Sequence, residues 1–276
     1  LGRMDEVLTT QRPDWVLVYG DTNSTLAGTV SAVKLHLPVA HLEAGLRSFN
    51  RAMPEEHNRV LTDHAADMLL APTQVAMDHL ASEGLAARSV HVGDVMVDVL
   101  MKVRDIANSD AVLDRLGMQR GGFSVATIHR AENTDDSRRL AAIVDALSRV
   151  DHPVVLLAHP RVRARAAHHG IPLDVGSLTS HDPLAYPDLV AAVAASRGVI
   201  TDSGGLQKEA FVLRVPCTTV RTETEWVETV ELGWNVLVEP GPALATAASR
   251  PAPTPTDAAP YGTGRAAASV LDALIR

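Results

Sequence analysis

The sequence predicts an α/β protein in which parallel sheets are covered by helices on both faces. Short runs of β-branched and aliphatic residues alternate with helix-period stretches along most of the chain. Aromatic residues are 3% of the 276 against 46% hydrophobic overall, so the core must be Val, Leu, Ala and Ile. Polar residues collect just beyond the ends of the apolar runs, where open parallel sheets bind their ligands. At roughly 100–200 residues per domain the length suits two domains.

Taken in order, Arg3 to Gln11 reads as a helix leading into the strand 15–19. Then follow helix 23–35, strand 38–42, helix 55–65, strand 67–71, helix 73–83, strand 89–92 and helix 96–106. The alternation restarts after the helical stretch 96–116 and the Gly121-Gly122 break. Beyond it lie strands 123–128, 153–158, 172–175, 197–201, 216–220 and 235–238, with helices 136–149, 160–168, 184–195 and 204–213 between them. Pro251, Pro253, Pro255 and Pro260 exclude a helix until Gly262, so that segment reads as a linker into a last helix, Arg265 to Ile275. The expected division is residues 1–96, 97–255 and 256–276. An α/β domain usually opens on a strand, whereas this chain opens on Leu1 and a helix, so 1–96 reads as the remainder of an N-terminal domain. No period of 20–50 residues repeats, which argues against a solenoid.

A formal charge of −8 disfavours nucleic acid or an anionic membrane as partner, since both call for a basic surface. No apolar run approaches 18 residues and no signal peptide is visible, so a soluble cytoplasmic protein is expected. The single cysteine, Cys217, follows Pro216 in an apolar run and reads as a buried, inert thiol. Twelve histidines raise the question of a metal, but there is no H-E-x-x-H and no paired Cys. His41 and Glu43 are expected on one strand face, yet two ligands make a poor site, so no metal is expected. His168 and His169 read as solvated at a helix end. Gly262-Thr-Gly264-Arg-Ala-Ala267 fits a dinucleotide pattern but follows no strand, so NAD is not implied.

The run Val199 to Ala210 is an apolar strand breaking at Asp202, a Ser-Gly-Gly turn, then a helix. Ser203, Gly204 and Gly205 are expected to leave bare N–H groups at the helix N-terminus, a seat for an anion such as a diphosphate. Glu209, about one turn further on, could accept hydrogen bonds from the hydroxyls of a ribose. Packing alone could also start a helix on Ser-Gly-Gly. Other strand ends carry Gly20-Asp21-Thr22-Asn23, Glu43-Ala-Gly45-Leu-Arg47, His129-Arg130-Ala-Glu132-Asn133 and His159-Pro-Arg161. Asp21 with Asn23 is also a good capping sequence. All five together look like the rim of a cleft. Glu55 and Glu56 open a helix after a long segment, 47–54; ordinary helix-start chemistry and a functional loop both fit.

These residues resemble the non-hydrolysing UDP-N-acetylglucosamine 2-epimerases. The resemblance rests on Gly20-Asp21-Thr22, His41 to Arg47, Pro54 to Arg59, Thr127 to Asn133, Thr201 to Ala210 and Pro260-Tyr261-Gly262, in the family's order over nearly the whole chain. It implies a glycosyltransferase-B-like fold, two Rossmann-like domains facing across a cleft, with the last helix returning to the N-terminal one. It also implies interconversion of UDP-N-acetylglucosamine and UDP-N-acetylmannosamine without NAD or metal, by anti elimination of UDP to a 2-acetamidoglucal and re-addition. Carboxylates on both sides of the ring suit that chemistry, each positioned acid or base being worth roughly 10²–10⁴-fold. A departing diphosphate likewise suits preorganised donors.

By resemblance Asp21, Glu43 and Glu55 are the acid/base residues, and His129 contacts the diphosphate. Ser203 and Gly204 cradle it, Glu209 grips the ribose, and Arg47 is placed among the substrate contacts. Which carboxylate removes the proton stays open. Arg130, Glu132 and His159 match a pocket where some members bind a second UDP-N-acetylglucosamine as activator, and members are usually homodimers supplying surface-polysaccharide precursors. Where many members carry an arginine, Thr224-Glu225-Trp226-Val227-Glu228 has Trp226, which opens the substrate to other UDP-2-acetamido sugars. A glycosyltransferase of the same fold and an inactive UDP-binding fragment are the competing readings.

Overall fold

The computed structural model describes residues 1–275. In chain order the elements are α1 (Gly2–Gln11), β1 (Val16–Tyr19), α2 (Asn23–Lys34), β2 (Val39–Leu42), α3 (Pro54–Ala65), β3 (Met68–Ala71), α4 (Gln74–Ser82), β4 (Ser89–His91), α5 (Val95–Ile106), α6 (Ser109–Leu116) and β5 (Ser124–Thr127). They continue with α7 (Ala131–Thr134), α8 (Ser137–Ser148), β6 (Val154–Leu157), α9 (Pro160–His169), β7 (Leu178–His181), α10 (Tyr186–Ala195), β8 (Gly198–Thr201), α11 (Gly204–Val212), β9 (Cys217–Thr219), α12 (Val227–Glu231), β10 (Asn235–Leu237), α13 (Pro242–Ala248) and α14 (Ala266–Ile275). Two compact units result: Leu1–Val99 together with the segment from Ala258 onward, and Leu100–Asp257. Among the described residues no helix is long and apolar enough to cross a membrane.

The first unit holds a four-stranded parallel sheet in the order β1-β2-β3-β4. Val16 pairs with Val39 and Tyr19 with Leu42, so β1 and β2 end level with each other. Ala40, Leu42, Leu70 and Val92 form a core that Val270 of α14 completes. Asp98 of α5 accepts hydrogen bonds from the first two N–H groups of α14, Ala266 at 3.0 Å and Ala267 at 2.8 Å. It therefore caps a helix from a distant part of the chain. Helix α2 is capped by the Thr22 hydroxyl, which accepts from Thr25 N, rather than by Asp21 or Asn23. Helix α3 is unusual in that Glu56, Asn58, Arg59, Thr62 and Asp63 are its buried residues. A polar stripe facing inward must be saturated with partners.

The second unit holds a six-stranded parallel sheet in the order β10-β9-β8-β5-β6-β7. Strand order reverses between β5 and β8, making a topological switch point. Side chains alternate between two cores, as the pleat requires. Ala126, Val154, Leu156 and Ile200 face one layer with α8 and α13, while Val125, Val155, Leu157 and Val199 face the other with α6 and α10. Cys217 lies buried in the second layer, and burial pushes its thiol up to about 12.

One expectation needs correction. The run 172–175 is no strand: Val175 makes only an isolated antiparallel bridge to Leu178, and the ladder partner of β6 is β7. Between them Gly176 has φ +60°, and a Cβ there would lie 2.2 Å from the Ser148 carbonyl oxygen. The short helices α7, α12 and α13 have too few turns for a periodic pattern, although Gly241-Pro242 is an ordinary helix-start signal for α13.

Asp98→Ala is expected to cost about 1 kcal/mol and to speed amide exchange over residues 266–275. Exchange unchanged from the natural protein would show that the cap does not hold α14.

Candidate functional site

In the first unit the rim is built where β1 and β2 end side by side. Gly20 turns the chain at φ +61°, and Glu43 adopts a left-handed φ of +68°, a conformation few non-glycine residues occupy. A Cβ at Gly20 would stand 3.3 Å from Glu43 Oε2. The structure thus brings the Glu43 carboxylate over the turn that carries Asp21. Because Glu43 leaves the extended conformation, it does not share a strand face with His41. His41 is wholly buried, with Nδ1 2.6 Å from Asp63 Oδ1 and Nε2 2.7 Å from the Gly20 carbonyl.

Asp21 is held by α3. Arg59 donates to its Oδ2 from Nη2 at 2.6 Å and Nε at 3.2 Å, and Asn58 Nδ2 donates to its backbone carbonyl at 2.9 Å. The adjacent carboxylates at the start of α3 have different environments. Glu56 is buried and accepts from Ser48 N, Ser48 Oγ, Phe49 N and Arg59 Nη1, so it pins the 47–53 loop. Glu55 is exposed on the same turn.

Arg47 is corrected. Its side chain is 1% exposed and donates to Asp63, to both oxygens of Glu83 and to the Leu46 carbonyl. Those groups surround the guanidinium. Burial weakens its hold on its proton, but Glu83 and Asp63 outweigh that and raise its pKa.

In the second unit the rim lies at the switch point. Thr127 and Thr201 are register partners, and their hydroxyls lie 2.7 Å apart. Asp202 follows β8 and is fully buried. Its carboxylate accepts from His129 N, Arg130 N and Asn133 Nδ2, and lies 3.0 Å from His129 Nδ1. Burial would raise the Asp202 pKa; the His129 and Asn133 hydrogen bonds, the His129 charge and the Arg130 amide overcome it and hold the carboxyl below the usual range. The half-exposed His129 ring is thereby fixed with Nδ1 inward, and Nε2 lies on its opposite edge.

The phosphate seat is narrower than the sequence suggested. Ser203 N donates to Thr201 Oγ1 at 2.9 Å, so it is not bare, and the Ser203 hydroxyl makes no capping bond. Gly204 and Gly205 open α11, where N–H groups have no intrahelical acceptor. Neither has a positive φ, and a Cβ on Gly205 would meet nothing within 4 Å. Backbone strain and crowding therefore do not require glycine there. Glu209, one turn on, accepts from the Tyr186 hydroxyl at 2.9 Å. Gln207, buried on the same helix, accepts from Thr224 Oγ1 at 2.7 Å and Asn235 Nδ2 at 3.0 Å, fixing α11 to the loop before α12.

His159 follows β6 and caps α9, its Nδ1 accepting from Arg161 N. With His129 and Leu184 it lines a pocket of ≈ 160 Å³. Arg130 is half-buried and Glu132 exposed at the start of α7. Sequence reasoning passed over Asp63 and Arg59 as site builders. The spacing of Glu56, Arg59 and Asp63 at i, i+3 and i+7 places three charges on one helix face, and that was their available signal.

A family model described as UDP-N-acetylglucosamine 2-epimerase matches residues 1–275. The chain belongs to this family. It is 45% identical to the UDP-2,3-diacetamido-2,3-dideoxy-D-glucuronate 2-epimerase of Pseudomonas aeruginosa, over all of this chain and 78% of that one. With the UDP-N-acetylglucosamine 2-epimerase of Methanocaldococcus jannaschii it shares 40% identity, covering 85% of this chain and 67% of the other. The structure of the M. jannaschii UDP-GlcNAc 2-epimerase in complex with UDP-GlcNAc and UDP matches with a TM-score of 0.87 at 34% identity, over 99% of this chain and 80% of that one. The fold class is accordingly the α/β, glycosyltransferase-B-like class of these epimerases, and the chain is a nucleotide-sugar epimerase by family.

Because the folded Asp202 carboxyl sits below the usual range, its stabilisation is complete above about pH 4 and is lost as pH falls through the folded value. Asp202→Asn is expected to cost about 1–3 kcal/mol at pH 7 and to flatten the acid limb of the stability profile. Urea midpoints at pH 7 and pH 3.5 check this; parallel losses in both proteins would contradict it.

Proposed function

We propose that this epimerase inverts C2 of a UDP-linked 2-acetamido sugar by eliminating and re-adding UDP. The observation that carries the reading is the approach of Glu43 Oε2 to the Gly20 turn, which gathers two carboxylates at one rim for proton transfer. One of Asp21, Glu43 and Glu55 takes the C2 proton. The C2–H electron pair becomes the C1=C2 double bond, and the C1–O pair leaves with UDP. Re-addition of UDP to C1 with a proton delivered to the other face of C2 completes the inversion. The Gly204 and Gly205 amides and the outward edge of His129 stabilise the charge that grows on the diphosphate, and Glu209 holds the ribose. Arg130, Glu132 and His159 form the proposed seat of a second UDP-sugar, and the functional form is a homodimer.

UDP-N-acetylglucosamine, giving UDP-N-acetylmannosamine, is the first substrate to test. UDP-2,3-diacetamido-2,3-dideoxy-glucuronate is the second, favoured by the 45% likeness to the Pseudomonas enzyme over the whole of this chain and by Trp226. Proton NMR of each nucleotide sugar with the full protein should show the manno epimer from at least one. No epimer from either would reject the reading. Asp21→Asn and Glu43→Gln should each lower kcat by about 10²-fold or more, while UDP affinity measured by calorimetry stays within about twofold of the natural protein. Variants that retain full turnover would remove the assigned roles.

A further inference from the structure

We propose that Asp63 and His41 are positioning residues that set the two acid/base carboxylates against each other through the backbone turns on which Asp21 and Glu43 are mounted. The inference rests on the epimerase reading above.

Asp63 is wholly buried near the C-terminal end of α3 and reaches both turns. Its Oδ2 accepts from Gly45 N at 3.0 Å and Arg47 Nη1 at 2.7 Å, and its Oδ1 lies 2.6 Å from His41 Nδ1. His41 passes the contact on, with Nε2 2.7 Å from the Gly20 carbonyl. A carbonyl can only accept, so Nε2 is the donor, and both ring nitrogens of His41 point at acceptors. Burial alone would raise the Asp63 pKa; the His41 hydrogen bond and charge and the Arg47 guanidinium reverse this and keep it a carboxylate.

Each end of this relay holds a peptide next to a proposed reacting group. The Gly20 carbonyl belongs to the peptide that leads into Asp21, so its direction fixes where that residue starts. The Gly45 amide closes the turn that begins at Glu43. Gly45 has φ +84°, and a Cβ there would lie 2.4 Å from the Ala76 carbonyl oxygen, so only glycine fits at that turn. Helix α3 also supplies Arg59 to Asp21 from the next turn back. One helix thus registers both carboxylates, and Asp63 is the only side chain among the described residues that bonds to Gly45 N and, through His41, to Gly20. Misplacing a reacting group by about 1 Å can cost about 10²-fold in rate.

Simple destabilisation would also lower activity, so the test needs a readout that the amount of folded enzyme does not move. In deuterium oxide, early turnover places deuterium at C2 of recovered substrate and of epimer, and their ratio reports which face of the intermediate is reprotonated. That ratio depends on the relative placement of two carboxylates and not on enzyme concentration. In the full protein, His41→Gln and Asp63→Asn should shift the ratio by about threefold or more, lower kcat by about 10–10²-fold and leave KM within about threefold. Glu83→Gln, which changes the outer end of the same ion-pair cluster and touches neither turn, should lower the thermal midpoint with the ratio unchanged.

If Asp63→Asn does not fold, His41→Gln decides. A natural ratio in a folded His41→Gln enzyme, or the same shift in Glu83→Gln, overturns the positioning role and leaves the epimerase reading intact. Absence of deuterium at C2 in the natural enzyme with every UDP-2-acetamido sugar overturns both.

Discussion

An ionised carboxylate cut off from water must be saturated with donors, and each unit of this protein builds its strand-end rim around one such group. In the first unit it is Asp63, tied to His41, Gly45 and Arg47. In the second it is Asp202, tied to His129, Arg130 and Asn133. The two differ in what they hold. Asp202 orients an imidazole directly, while Asp63 reaches backbone turns one residue from Asp21 and two from Glu43. Both convert the demand for saturation into fixed geometry.

The second constraint is the economy of backbone at the rims. Glycine appears where a Cβ would obstruct, as at Gly45. A left-handed non-glycine residue appears at Glu43, where a side chain is wanted in a conformation that costs of order 1–3 kcal/mol. Such strain persists because the neighbouring turn and the buried Asp63 cluster leave the chain no alternative. The proposed chemistry gives a reason for tolerating it.

Much of this was legible in the sequence. Parallel strands announce themselves as short aliphatic runs, and β1 to β6 and β8 to β10 fall where those runs lie. Strand-end polar residues pointed to Asp21, Glu43, His129 and the Ser203 turn. What the chain could not reveal was who satisfies whom. Arg47 sits in the matching motif, yet tertiary pairing with Asp63 and Glu83 buries it. The amide of Ser203 belongs to the Thr201 hydroxyl. Glu55 and Glu56 are identical neighbours in sequence, and only the fold of the 47–53 loop separates a buried anchor from an exposed group. Strand 172–175 failed because the chain turns at Gly176 and the ladder position beside β6 goes to β7.

The proposed reaction is chemistry at one carbon, C2 of the sugar. The most direct measurement is the fate of a deuterium placed at C2 of the UDP-sugar that the full protein epimerises, run in ordinary water. The account predicts that the epimer carries hydrogen at C2, its label lost to solvent through the carboxylates at the β1 and β2 ends. Epimer that retains the C2 deuterium turnover after turnover would contradict it.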